Sequence, residues 1–393
     1  MGCRRGTVSR QCRLRLRSAL AAAVGLVGAG CAAWPPSWPA WPPPPSPHVV
    51  TAPAPSQAER YCAWYGDADG RTLYVGLSPF WSAMRAAGDD PRADLEAPGP
   101  QWIGRFDLRR EQWLDPLDVG TPDSRAGVWD VLATDAEGVY FTPVCEAGGR
   151  VDPESGAVTR FEAAGLGLNE LAPGPGGRVL VSRYGGGGAS KAHGELLALS
   201  PDGAIAERWP MGAPLGFFAA PKTPAWNPVH RRLVATSDVL PEFDGDPRHD
   251  AYTLALDEDE ADWERSPSPE LQFVAVTPDG VEYRVEARDD GGLWLRRVRP
   301  PGREPEDQSV LLDPAFPAAL DFAQDLKRAD DGRLVVTRWS GVVHVVEPRR
   351  GTVETLRLPR LERGGLYYTG VIHRRRLCAS HCGGVTVVCT DAP

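Results

Sequence analysis

The sequence lacks three features: an apolar run long enough to span a bilayer, a stretch with sustained helical periodicity, and an excess of basic residues. The first two argue against a membrane-spanning helix and against a helical bundle. Lysine and arginine total 43 against 52 aspartates and glutamates, for a formal net charge of −9. Because nucleic-acid binding requires concentrated positive charge, we expect no nucleic-acid partner.

Turn-forming residues are abundant instead. The 393 residues include 43 glycines and 39 prolines, more than a helix-rich protein of this size could place outside its helices. This composition predicts many short strands joined by turns.

Residues 1–30 have the organisation of a signal peptide. Six arginines and no acidic residue occupy positions 4–17, and a small, apolar stretch follows from Ser18 to Gly30. That stretch is too short to cross a bilayer but suits the core of a secretion signal. We therefore expect the protein to be exported to the bacterial cell envelope.

Cys31 follows Gly28-Ala29-Gly30, which resembles the lipobox of bacterial lipoproteins. In that family the cysteine becomes the lipidated mature N terminus, so the resemblance implies a lipid anchor at Cys31. Gly28 stands where leucine is usual, and cleavage just after Ala33 without lipidation is the alternative. Loss of the leader would remove six arginines and leave a more acidic chain. Acyl chains rather than basic residues are then expected to hold the protein on a membrane.

Residues 31–57 are rich in proline and tryptophan, which predicts a stiff polyproline II tether. Trp34, Trp38 and Trp41 either rest at the lipid headgroups or simply stiffen the linker. Residues 58–393 are assigned to one folded domain.

From Tyr61 onward a pattern of short strands and Asp/Gly turns returns at a period of roughly 35 to 50 residues. The seven copies begin near Tyr61, Val128, Leu168, Trp226, Leu271, Ala323 and Tyr367. Four strands fit each unit, which predicts an all-β propeller of seven four-stranded blades, with six or eight blades as alternatives. The last copy shows three strands, so we expect an N-terminal strand to complete it, either His48–Thr51 or the segment beside Tyr61.

Residues 130–142 and 149–161 look like blades of virginiamycin B lyase-like propellers. Residues 324–337 are similar to these and also to blades of NHL-repeat and gluconolactonase-like propellers. The resemblance covers residues 61–391 as a repeat. Because unrelated activities share such blades, it implies the fold rather than a reaction.

The repeat also nominates side chains that face the central channel. Counting back eight positions from each turn glycine, and aligning second strands where the glycine is missing, selects a mostly polar column. Its members are Cys62, Asp130, Asn169, Trp226 or Asn227, Gln272, Gln324 and Tyr367. Of these, Asp130, Asn169, Gln272, Gln324 and Tyr367 are our candidates for binding a polar ligand.

Gluconolactonase-like enzymes hold a metal with glutamate, asparagine and aspartate at comparable places. The resemblance therefore implies Asp130 and Asn169 as ligands of Ca²⁺ or another divalent cation. The competing interpretation is that the polar column bonds neighbouring strand ends and channel water. Glu170 and Asp325 would face the channel only if the register were shifted by one residue.

Virginiamycin B lyase-like enzymes use a histidine base. No histidine here matches that motif, and His373 and His381 are the remaining candidates for a base, with ordinary strand or turn roles as the alternative.

The C-terminal cysteines predict a disulfide. If Gly383-Gly384 forms a two-residue hairpin turn, Cys378 and Cys389 face each other across the hairpin. A bridge from Cys62 to Cys382, which would join the first blade to the last, is the alternative. Either bridge requires an oxidising compartment.

Together these features predict an exported, membrane-tethered propeller that acts as a scaffold for a protein, glycan or small-molecule ligand. The alternative is a metal-dependent, lactonase-like hydrolase or lyase with its site in the axial channel. The sequence does not decide between a scaffold and an enzyme.

Overall fold

The computed structural model describes most of the chain after residue 46. The described ranges are 47–52, 61–79, 99–121, 124, 127–134, 138–143, 147–161, 168–183, 194–211, 220–238, 251–256, 262–266, 271–288, 291–298, 309–314, 321, 323–361 and 365–393. The predicted signal peptide, Cys31 and the Trp-rich part of the tether lie outside these ranges. Among the described residues, no helix has the length and apolar character needed to cross a membrane.

The described strands form seven four-stranded antiparallel sheets, which confirms the predicted seven-bladed propeller. Blade 1 contains β2 (Cys62–Asp69), β3 (Thr72–Ser78), β4 (Trp102–Asp107) and β5 (Gln112–Asp118). Blade 2 contains β6 (Val128–Thr134), β7 (Gly138–Pro143), β8 (Gly149–Val151) and β9 (Val158–Arg160). Blade 3 contains β10 (Leu168–Pro173), β11 (Val179–Arg183), β12 (Glu195–Leu199) and β13 (Ile205–Pro210), with a 3₁₀ turn at Pro175–Gly177.

The other four blades repeat this meander. Blade 4 contains β14 (Ala220–Asn227), β15 (Arg232–Asp238), β16 (Ala251–Ala255) and β17 (Glu264–Ser266). Blade 5 contains β18 (Leu271–Val276), β19 (Glu282–Ala287), β20 (Leu293–Val298) and β21 (Ser309–Asp313). Blade 6 contains β22 (Ala323–Arg328), β23 (Leu334–Arg338), β24 (Val342–Glu347) and β25 (Thr352–Arg357). Blade 7 contains β26 (Tyr367–His373), β27 (Arg376–Cys382), β28 (Val385–Asp391) and, as its outer strand, β1 (His48–Thr51).

The ring is closed by its N-terminal strand, as predicted for His48–Thr51. β1 pairs antiparallel with β28, with His48 opposite Cys389 and Thr51 opposite Thr386. The propeller therefore begins before residue 58, the boundary that the sequence suggested, and the end of the predicted tether is part of blade 7.

Two disulfides reinforce the closure. Cys378 and Cys389 face each other on β27 and β28 and are bonded, with 4.1 Å between their Cα atoms. Cys62 on β2 is bonded to Cys382 at the end of β27, which links blade 1 to blade 7. The two bridges that the sequence offered as alternatives are both present.

The two rims of the ring differ in their connections. In every blade, the links from first to second and from third to fourth strand leave one rim, which we call the turn face. The links from second to third strand and between blades leave the other rim, the connection face. Links on the turn face include 70–71, 374–375 and 348–351, whereas the connection face carries 79–101, 184–194 and 239–250. The links 256–263 and 299–308 also leave the turn face, but the three longest links leave the connection face.

Apolar side chains hold neighbouring blades together at most junctions, for example Leu334 and Val336 of blade 6 against Leu293 and Leu295 of blade 5. The junction of blades 4 and 5 is different. Glu282, Arg284 and Glu286 alternate along β19 and are all buried, and Arg232 of blade 4 lies 2.6 Å from Glu282. Paired charges replace much of the hydrophobic packing there, and only a small apolar cluster accompanies them.

Candidate functional site in the axial channel

The first strands of successive blades contact one another all round the ring and line the channel. Each of these seven strands has a β-bulge near its start. A bulge adds one residue and re-aims the side chains that follow it. The bulge in β2 brings the backbone of Gly66 close to the neighbouring strand β3. Only glycine fits there, because a Cβ atom would lie 2.2 Å from the carbonyl oxygen of Tyr74.

Because each bulge adds one residue to a first strand, counting from the turn glycine can miss the channel-facing position. We therefore take, in each first strand, the residue that faces one common position of the second strand. This column consists of Tyr65, Asp130, Glu170, Thr223, Gln272, Asp325 and Thr369. By this pairing, the position in blades 2 and 5 is the one counted from the sequence, Asp130 and Gln272, whereas in blades 3 and 6 it is one residue later, at Glu170 and Asp325. In blades 1, 4 and 7 it is Tyr65, Thr223 and Thr369 rather than Cys62, Trp226 or Asn227, and Tyr367.

The Asp130 carboxylate bridges two blades. Its Oδ1 accepts a hydrogen bond from the Val131 amide at 2.8 Å, and its Oδ2 accepts one from the Leu171 amide of blade 3 at 2.9 Å. Burial raises the pKa of Asp130 to about 7, against the lowering effects of Lys327 and the two amides. Asp130 therefore serves as an inter-blade acceptor.

The same type of bridge recurs round the ring. Glu170 of blade 3 accepts a hydrogen bond from the Thr223 amide of blade 4. The Thr369 hydroxyl of blade 7 accepts one from the Gly66 amide of blade 1 at 3.0 Å, and Asp67 of blade 1 accepts one from the Ala133 amide at 3.2 Å. These bonds are of the kind expected if the polar column joins neighbouring strands.

A buried serine or threonine on the second strand recurs in five blades and was not predicted from the sequence. Two of these hydroxyl groups accept hydrogen bonds from backbone amides of the bulges. Buried hydroxyl side chains occupy one position of five second strands, namely Thr142, Ser182, Thr236, Thr337 and Ser380. Ser182 accepts a hydrogen bond from the Glu170 amide, and Ser380 accepts one from the Thr369 amide and donates one to the Trp64 carbonyl. The signal was visible in the sequence as two apolar residues followed by serine or threonine in each of these strands.

The Lys327 side chain places an ammonium group beside the carboxylates of the channel. Its Nζ lies 3.7 Å from Asp67 Oδ1, and its side chain is 28% exposed. Burial alone would lower the pKa of Lys327, but Asp325, Asp67 and Asp130 together raise it above its usual value. Burial raises the pKa of Asp325 to about 6, with Lys327 and the Thr369 hydroxyl acting in the opposite direction. One ammonium group thus faces three carboxylates contributed by blades 1, 2 and 6.

An aromatic cluster lies beside this polar group, formed by Trp64, Tyr65, Trp129 and Tyr368. The Trp64 and Tyr368 rings stack at 4.1 Å between centroids, and Trp129 lies 5.2 Å from Trp64. The Tyr65 hydroxyl donates to Gln324 Oε1 at 2.7 Å. The side-chain oxygen of Gln324 on blade 6 therefore accepts a hydrogen bond from blade 1.

The remaining predicted residues are distributed differently. Tyr367 lies away from the polar column: it packs in the apolar cluster between blades 6 and 7 and donates to the Pro359 carbonyl at 2.6 Å. Asn169 and Gln272 lie in the bulges of β10 and β18, but their side chains fall outside the described part of the structure. Cys62 forms the disulfide with Cys382, so its sulfur atom is not a free thiol.

The two candidate histidines differ in their surroundings. His381 is buried edge-on against Tyr367, and burial lowers its pKa to about 4. His373 lines a cavity of about 50 Å³ at the turn-face end of the channel, together with Asp67 and Lys327. A role for either histidine as a base stays a prediction.

In the described ranges, no group of three or more histidine, cysteine, aspartate or glutamate side chains is arranged to hold a metal ion. The Asp325 Oδ2 atom is buried and has no hydrogen-bond partner among the described residues. Binding of a divalent cation by Asp130 and Asn169 stays a prediction.

Comparisons with known proteins agree on the fold alone. No protein-family model matches the chain, and no curated protein matches it. The structure is similar to a catalytically inactive virginiamycin B lyase from Staphylococcus aureus with quinupristin, with a TM-score of 0.61, 10% identity, and coverage of 88% of this chain and 100% of that one.

Two WD40 domains are also similar. The Neurospora crassa Pan2 WD40 domain gives a TM-score of 0.55 at 11% identity over 88% of this chain and 94% of that one. The WD40 propeller domain of Doa1 gives 0.52 at 9% identity over 84% and 96%. At such identities the similarity establishes the propeller class, which here includes both an enzyme and WD40 domains.

Proposed function

We propose that this protein is exported, anchored in a membrane of the bacterial cell envelope through Cys31, and presents its propeller as a binding scaffold. The observation that carries the proposal is where the tether joins the ring. His48, the first residue of β1, pairs near the end of β28, and its Nδ1 is 2.6 Å from Glu111 on the turn face. The tether therefore attaches at the turn face.

This attachment directs the connection face away from the membrane. The long links 79–101, 184–194 and 239–250 all leave that face. Binding residues are commonly carried on loops that a rigid scaffold positions. The disulfide between blades 1 and 7 and the outer strand β1 keep the scaffold closed, and disulfides suit an oxidising compartment outside the cytoplasm. We propose a protein, glycan or small molecule as the partner of the connection face.

Photo-crosslinking in cells tests the orientation. A crosslinking amino acid at Thr121, which is exposed on the connection face, should trap a partner. The matched position on the turn face is Glu154, also exposed, and it should not trap that partner. A partner trapped from Glu154 and not from Thr121 would refute the proposed presentation.

Cell fractionation tests the anchor. Cys31→Ser should release the protein from membranes and abolish incorporation of a labelled fatty acid. Continued membrane association of this variant in high salt would reject lipidation at Cys31.

The enzyme alternative has one observation in its favour. The unpartnered Asp325 Oδ2 atom lies in a channel that also holds Asp67 and Asp130. A protein that includes β1 should be analysed for bound metal and melted with and without Ca²⁺. Bound metal together with a Ca²⁺-dependent melting shift that Asp130→Ala abolishes would favour the metal-dependent hydrolase or lyase. Absence of both would reject it.

A further inference from the structure

The charges of the turn face are divided between two sectors. Exposed arginines occur on the turns of three adjacent blades: Arg328, Arg349 and Arg350 on blade 6, Arg374 and Arg375 on blade 7, and Arg71, Arg109 and Arg110 on blade 1. We call these residues the basic sector. Arg71 pairs with Asp107, whereas the other seven make no ion pair with any described residue.

The acidic groups within the basic sector are largely occupied. Asp331 pairs with Arg333, while Glu111 and Asp391 both pair with Arg376, and none of these uses an exposed arginine of the sector. Asp330 is exposed there, and Glu347 accepts a hydrogen bond from the Arg349 amide. The exposed charge of the sector is therefore predominantly positive.

The rest of the same face is mainly acidic. Exposed carboxylates stand on the turns of blades 2 to 5, at Asp152, Glu154, Asp202, Asp262 and Asp279, with Arg231 of blade 4 as an exposed arginine among them. The net charge of −9 for the whole chain conceals this separation. A chain that is acidic overall thus presents a concentrated positive surface on three of its seven blades.

The basic sector surrounds the point where the tether joins the ring. His48 is hydrogen-bonded to Glu111, which adjoins Arg110 on blade 1 and is also paired with Arg376 of blade 7. Arg333 of blade 6 reaches the C-terminal Pro393 carbonyl at 2.5 Å, which places the turns of blades 6 and 7 side by side. His48, the first residue of the ring, therefore lies in the middle of the basic sector.

We infer that the basic sector binds the anionic phospholipid headgroups of the membrane on which the protein is tethered. Positively charged side chains near an anionic bilayer are attracted over a distance set by the Debye length, about 8 Å at physiological salt. A lipid anchor with one further basic contact is the combination that gives stable membrane association. The sequence favoured acyl chains alone because net charge does not report how charges are placed. The inference rests on the proposed membrane tether, but the contact itself does not require a lipid.

A vesicle-binding experiment separates the headgroup contact from the lipid anchor. The full chain carrying Cys31→Ser is mixed with phosphatidylcholine vesicles, with or without phosphatidylglycerol, and binding is measured by co-sedimentation. We expect binding only to vesicles that contain phosphatidylglycerol, and loss of binding at high salt. Failure of this protein to bind the anionic vesicles would overturn the inference even if wild-type protein is lipidated. Binding would sustain it even if Cys31 proves not to be lipidated.

Charge-reversed variants locate the surface. Arg349→Glu with Arg350→Glu, and separately Arg374→Glu with Arg375→Glu, should each weaken vesicle binding by at least about tenfold. The control, Arg208→Glu with Arg231→Glu, makes the same change in charge outside the sector, also breaks the Arg208–Glu195 ion pair, and should retain binding. Arg231 also shares the positive φ of Arg374, which matches the backbone at one position. Equal losses in control and test variants, or preference for another polyanion such as heparin over the vesicles, would overturn the inference.

Discussion

The disulfide between Cys62 and Cys382 should contribute more to stability than the disulfide between Cys378 and Cys389. The two bridges span very different lengths of chain, with sequence separations of 320 and 11 residues. In the chain-entropy account, a cross-link restricts the unfolded chain more when the loop it closes is longer. The relation gives about 6 kcal/mol for the long loop and about 3 kcal/mol for the short one.

These figures are upper limits because measured values for disulfides commonly fall below the relation. The order of the two effects is the firmer expectation. Both sites are buried, with exposures of 3% and 0% for the first pair and 0% for each cysteine of the second. Loss of two buried sulfur atoms is therefore common to both variants and largely cancels in the comparison.

The assay is equilibrium unfolding in urea. Cys62→Ala with Cys382→Ala, and Cys378→Ala with Cys389→Ala, are compared with the wild type under oxidising conditions. The first double variant should lose about 2–3 kcal/mol more free energy of unfolding than the second. It would refute the reasoning if the second double variant lost as much free energy of unfolding as the first, or more. The disulfide that closes the ring would then stabilise the fold no more than the disulfide within one hairpin.

Three further predictions concern the ring and its channel. Lys327→Met should destabilise the fold by about 3–5 kcal/mol because Asp67, Asp130 and Asp325 lose their common cation, and the loss measured in urea should shrink at low pH as Asp130 and Asp325 are protonated. The raised pKa values of Asp130 and Asp325, about 7 and about 6, mean that their contribution is full below pH 4 and is lost as pH rises through those values. Asp130→Asn with Asp325→Asn should therefore remove a fall of about 3–4 kcal/mol in the free energy of unfolding between pH 5 and 7, and an unchanged pH profile would contradict this. Deleting residues up to Ala52 should expose the edge of β28 and cause aggregation visible by size-exclusion chromatography, whereas a monomeric protein with an unchanged melting temperature would show that β1 is dispensable.

The regular parts of the fold could be read from the chain because they follow from local patterns. Turn glycines and alternating strands repeat seven times, so the blade count was predictable, and His48–Thr51 is one of the two closing segments that the sequence offered. The hairpin at Gly383-Gly384 has a register fixed by its two-residue turn, which identified the Cys378–Cys389 pair.

The axial column was only partly predictable. Counting from the turn glycine assumes that every inner strand has the same number of residues, and the β-bulges break that assumption. The count agrees with the strand pairing at Asp130 and Gln272, whereas the pairing gives Glu170, Asp325 and Thr369 where the count gave Asn169, Gln324 and Tyr367. A bulge depends on pairing with the second strand and on hydroxyl groups such as Ser182 and Ser380, which are distant in sequence.

The sequence by itself determined an acidic chain of seven repeats that begins with the features of a secretion signal and a tether. Those properties depend on composition and on contacts between neighbours in the chain. Only the tertiary structure decided which carboxylates meet Lys327, that both disulfides form, and that the arginines of blades 6, 7 and 1 lie together around the tether. These arrangements arise from closing the ring, which brings the first and last strands of the propeller together and places residues more than 300 positions apart side by side.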